Sequence, residues 1–107
     1  MEVRNLFSSI PRELPVEFFE KIVVAADVAI ERLVSLGHSS PEGFWYDQEA
    51  NEWVIVLEGS ARLLFEGKEE AVAMNAGDYV TIPAHCRHRV EWTDPERKTV
   101  WLAVHYR

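Results

Sequence analysis

The chain has 107 residues, 48% of them apolar, which suits one domain with a modest core and excludes an intrinsically disordered protein. A formal charge of −7, from 18 acidic and 11 basic side chains, repels phosphate backbones and argues against a nucleic-acid partner. Arg87 and Arg89 are too small a basic cluster to reverse that balance. No apolar run approaches the roughly 20 residues of a membrane helix. MEVRNLFSS lacks the basic-then-apolar layout of a secretory signal. The lone Cys86 has no partner for an internal disulfide, so a reducing cytoplasm is the expected compartment.

In chain order, the first expected element is a short helix over 15–25. Pro15 suits the first helical position, Glu17 suits the first turn, and Phe18, Phe19, Ile22, Val23 and Ala26 recur at spacings of three and four. After Asp27 the period becomes two. Strands are expected over 28–36, 44–51 (short, running into a polar turn), 52–58, 61–66, 69–74, 79–83, 87–92 and 99–106. The loops between them carry Gly, Pro, Asn and Asp. Short strands at regular spacing predict an all-β sandwich or barrel. Residues 1–26 are expected to form an N-terminal segment packed on the strands of residues 28–107, in a single domain.

Side chains alternate faces along a strand. In EWVIVLE, Glu52, Val54 and Val56 share one face, and Trp53, Ile55 and Leu57 the other. Both rows are apolar enough to be covered. In RHRVEW, Arg87, Arg89 and Glu91 face water, which turns His88, Val90 and Trp92 inward. A buried carboxylate and a buried imidazole are costly unless they bond each other or hold something between them. His105 shares a face with Trp101 and Ala103, but the opposite face of that strand is equally apolar, so it reads as structural. His38 reads as a loop residue and Cys86 as a structural thiol.

The spacings resemble the cupin superfamily. Glu52, six residues and Gly59 match the second half of the first cupin motif. Gly77, five residues, Pro83, and His88 five positions later match the second motif. The resemblance implies a cupin-type jelly-roll β-barrel, here with one short N-terminal helix, and a homodimer. It also implies metal-ligand positions at Glu52 and His88. The histidine pair of the first motif is absent: counting four residues back from Glu52 gives Trp45 and Asp47, and counting three gives Tyr46 and Gln48. The second-motif glycine is replaced by His85. Asp47, Gln48 and His85 are therefore the candidates to complete a site for a divalent ion, and imidazole with carboxylate suits Zn, Mn, Fe or Ni. Trp45, Tyr46 and Trp92 are expected to line a pocket for a small polar organic ligand. Two functions remain open: a metal-dependent enzyme in which Glu52 is the acid or base, and a non-catalytic module that binds or senses a small molecule.

Overall fold

The computed structural model describes residues 1–107 as eight strands: β1 (Phe18–Val24), β2 (Val28–Ser35), β3 (Asn51–Glu58), β4 (Ser60–Phe65), β5 (Val72–Asn75), β6 (Tyr79–Ile82), β7 (His88–Thr93) and β8 (Thr99–Tyr106). One sheet has the order β1-β2-β8-β3-β6 and the other β5-β4-β7. The two sheets form a jelly roll. No helix is long and apolar enough to cross a membrane.

The expected N-terminal helix is absent. Residues 18–24 are instead an edge strand, antiparallel to β2, with Phe18 opposite Val34 and Glu20 opposite Arg32. Ile22, Val23 and Val24 are β-branched and pack better on a pleated surface than in a helix. The tight turn over 25–27, closed by Ala25 N–H donating to the Val28 carbonyl (2.8 Å), returns the chain as a hairpin. The apolar stripe expected to pack on the rest of the domain is largely exposed: Phe19, Ile22 and Val23 are open to solvent, as is the neighbouring Val24. Residues 44–51 make only one isolated bridge before Asn51, between Tyr46 and His88.

The core lies between the sheets, where Val54, Val56, Ala61, Leu63, Met74, Ile82, Trp101 and Ala103 pack together. Register aligns the inward rows of the larger sheet. Leu33, Trp101 and Val56 form one row across β2, β8 and β3, and Ala103 and Val54 belong to the next. The following row is Ala29, His105, Glu52 and Ile82. The interior is therefore apolar at one end and ionisable at the other. The outer row Trp53, Ile55 and Leu57 is half-buried, not covered as expected. Elsewhere the N-terminal segment covers the outer face, where the buried Arg32 guanidinium donates to the carbonyls of Leu6 (3.0 Å) and Ser8 (2.7 Å).

Candidate functional site

His88 opens β7, reached by a turn that breaks strand phase. His85 sits in that turn at φ 61°, the left-handed region. This is the position where the second cupin motif has glycine, whose missing Cβ removes the steric penalty there. Histidine tolerates the conformation better than most residues. The His85 N–H donates to the Gln48 carbonyl (2.8 Å), and Ala84 N–H donates to Asn51 Oδ1 (2.9 Å). These bonds fix the turn against the 47–51 loop. His88 then faces the lumen, with Val90 next on the same side.

Glu52 reaches the same space from β3. His88 Nε2 lies 3.4 Å from Glu52 Oε1, with the side chains 7% and 13% exposed. The other ring nitrogen, Nδ1, lies 2.9 Å from the Cys86 carbonyl. The ring stacks on Tyr46 (centroids 5.4 Å apart, planes at 24°), and Phe65 flanks it at 6.1 Å. Burial opposes protonation of His88. The contact with Glu52, the Cys86 carbonyl and the charge of Glu52 outweigh burial, and its pKa is raised above the ordinary 6.5. The neighbouring Glu52 therefore favours the protonated form of His88 relative to a free imidazole.

The surrounding cavity has a volume of about 100 Å³. One water needs roughly 10–15 Å³ of such space, so the cavity holds several waters or one small organic molecule. Its walls are Phe19, Leu33, Val54, Leu63, Ile82, Val90 and Trp101, with Tyr46 and Gln48 from the loop before β3. A second pair also lines it: His105 Nε2 lies 3.4 Å from Glu31 Oε1, both about four-fifths buried. Glu17 completes the polar lining. Its Oε2 accepts from Ser35 Oγ (2.6 Å), which in turn accepts from the Trp101 indole N–H (3.3 Å). Burial raises the Tyr46 pKa above 10.0, and the charges of Glu17, Glu52 and Glu31 push it further.

Of the expected site residues, Glu52, His88, Gln48 and Tyr46 meet at this cavity. Asp47 and His85 do not. They bond each other on the surface (2.7 Å), half or more exposed. Trp45 also lies outside, with the Arg87 guanidinium 6.0 Å from its ring. Trp92 turns away because β7 carries a bulge: Arg62 pairs with Trp92 and Leu63 with Val90, leaving Glu91 as an extra residue. The bulge reverses phase, so Thr93 is buried and Trp92 packs outside under Arg62 (4.6 Å). Arg89, expected in water, is 15% exposed and donates to the carbonyls of Ser40 and Pro41.

Glu17 and Glu31 carry no mark in the sequence, and His105, which reads there as structural, lines the cavity. The signal for His105 was present in its phase with Trp101 and Ala103. His38 and Cys86 serve the scaffold. His38 Nδ1 accepts from Leu36 N–H (2.9 Å), and Cys86 packs against the core.

A family model described as a cupin domain matches residues 34–105. The chain is a cupin. A protein of Ralstonia eutropha JMP134, named a "putative mannose-6-phosphate isomerase", has 46% identity and a TM-score of 0.95, with 99% of this chain and 98% of that one covered. A cupin superfamily protein of Desulfitobacterium hafniense DCB-2 has 16% identity and a TM-score of 0.79, covering 99% and 92%. An RmlC-like cupin family protein of Methanocaldococcus jannaschii, with a double-stranded β-helix fold, has 19% identity and a TM-score of 0.71, covering 91% and 85%. The last two show the shared fold alone. No curated protein sequence matches the chain.

Cupins commonly bind divalent metals. The donors here do not fit one as they stand: no three His, Cys, Asp or Glu side chains converge as a ligand set. Glu52 and His88 close on each other, and the expected Asp47 and His85 point away from them.

Proposed function

We propose that this cupin binds a small polar organic molecule in its lumen and moves a proton on it with Glu52 and His88. The observation that carries this reading is the buried imidazole–carboxylate pair opening onto a cavity of about 100 Å³. In the paired state the imidazolium is a donor and the carboxylate an acceptor, so one pair can serve both ends of a proton shift. Glu52 takes a proton from the carbon beside a ligand carbonyl while His88 Nε2 gives one to the carbonyl oxygen, which forms the enol. Glu52 then returns a proton, exchanged with solvent, to carbon while His88 Nε2, 3.4 Å away, takes one back from oxygen, which restores the pair. The name of the Ralstonia relative, an isomerase, agrees with a reaction of this class.

The test is solvent deuterium exchange into small hydroxyketones and hydroxyaldehydes, followed by NMR. Wild type is expected to label the carbon beside the carbonyl, and Glu52→Gln to abolish labelling while still binding. Binding without labelling in wild type overturns the enzymatic reading. It supports the alternative, a non-catalytic binding or sensing module, which the replacement of both first-motif histidines favours.

A homodimer, in a cytoplasmic setting, belongs to the same proposal. It is supported by the half-buried outer row Trp53, Ile55 and Leu57 and the exposed apolar edge of β1.

A further inference from the structure

The charge lining the cavity selects its occupant. Glu17, Glu31 and Glu52 face it together with His88 and His105, and no lysine or arginine does. Each imidazole is matched to one carboxylate, His88 to Glu52 and His105 to Glu31. If both are protonated they cancel two of the negative charges and leave Glu17, whose one side-chain partner is the neutral Ser35 hydroxyl. If both are neutral, all three negative charges remain. The lumen is therefore negative in either state.

An anion entering this space meets like charge with poor screening and finds no guanidinium or ammonium to bind it. Phosphate recognition uses such groups or a helix N-terminus, and this fold has no helix. The opposite is true for a cation. Tyr46 and the buried Trp101 form part of the wall, and aromatic side chains attract cations in desolvated pockets. A positively charged group on the ligand supplies the counter-charge that Glu17 lacks within the protein.

We propose that the lumen takes a small organic ammonium compound and rejects phosphorylated and carboxylated ones. The proposal rests on the reading of the lumen as a ligand site and adds the chemical class. It separates this chain from the substrate that the name of the Ralstonia relative implies, since a phosphorylated sugar is excluded by charge.

Four probes of similar size separate the classes: 3-amino-1-propanol, 1,3-propanediol, 3-hydroxypropanoate and glycerol 3-phosphate. The readout is the indole N–H resonance of Trp101, which reports on Glu17 through Ser35. Near neutral pH the amine is expected to shift this resonance saturably, and the two anions to leave it in place. Glu17→Gln and Glu31→Gln are each expected to weaken the amine about threefold to tenfold, the scale of losing one partly screened opposite charge. The backbone amide spectrum verifies that each variant is folded, and the two replace each other if one is not. A response to the diol equal to that of the amine, or a larger response to either anion, overturns the charge assignment while leaving lumen binding intact. Silence to all four probes counts against both the assignment and the lumen as a ligand site.

Discussion

Glu52 and His88 come from opposite sheets and meet at 3.4 Å inside the barrel. Their contact therefore depends on the closure of the two sheets and not on strand pairing. Removing either partner leaves the other polar and enclosed. Breaking a fully buried pair costs about 3–5 kcal/mol. Glu52 keeps some solvent contact, so Glu52→Ala and His88→Ala are each expected to cost about 2–3 kcal/mol. Denaturant unfolding of both variants checks this, and the double variant is expected to cost less than the sum of the singles.

The raised pKa of His88 sets a pH dependence. A group whose folded pKa exceeds its unfolded value stabilises fully below the unfolded value, about 6.5, and loses that contribution as pH rises through the folded one. The stability difference between wild type and His88→Gln is expected to be largest on the acidic side of that window and to shrink above it. Tyr46 has the same sign at higher pH: its contribution is complete below about 10 and is lost as pH rises through its raised folded value. Ultraviolet titration of the three tyrosines is expected to show one ionising late, and Tyr46→Phe to remove that late step.

The first-motif glycine has a packing role. Gly59 has φ 93°, and a Cβ there would lie 2.5 Å from Thr99 Oγ1, 2.6 Å from Thr99 Cα and 2.7 Å from the Lys98 carbonyl. Two of these atoms are backbone, and Thr99 is fully buried, so the clash cannot relax cheaply. Gly59→Ala is expected to cost roughly 3 kcal/mol, combining left-handed strain with displacement of β8. Thermal melting tests this, with Gly67→Ala as a milder control because a Cβ there meets nothing within 4 Å.

His85 behaves in the opposite way. Its backbone occupies a glycine conformation, and its side chain makes one exposed bond to Asp47. His85→Gly is expected to stay within about 1 kcal/mol of wild type, since relief of left-handed strain offsets the lost surface contact. His85→Val should cost more, because a β-branched residue suits this region poorly. The imidazole signals of His88 and His105 should be unchanged in His85→Gly; a shift of either would place His85 in the lumen.

The inward row Glu52, Val54, Val56 and the turn from Pro83 to His88 were legible because strict alternation and motif spacing are local properties. The irregularities were not. A bulge at Glu91 reverses the phase of Trp92, and nothing in RHRVEW marks it. The stripe in FFEKIVV suits a helix by spacing and a strand by β-branching, and pairing with β2 decides between them. His105 was ambiguous because β8 lies at the centre of its sheet, with apolar residues on both faces. Glu17 and Glu31 join the site only through the register of β1, β2 and β8. Asp47 and His85 lie outside it, bonded to each other at the surface, with His85 held in a left-handed turn that breaks strand phase.

Chelation offers a further check. Without three converging donors, metal removal is expected to leave the melting temperature and the imidazole resonances of His88 unchanged. Stoichiometric metal released from wild type, and missing from Glu52→Ala and His88→Ala, would contradict the two-residue description.

The most direct measurement is an NMR titration of the His88 imidazole in wild type and in Glu52→Gln. The pair predicts a wild-type midpoint above 6.5 that falls in the variant, because burial then acts on the ring without an adjacent carboxylate. A midpoint that is the same in both proteins would show that the two side chains do not interact in the lumen.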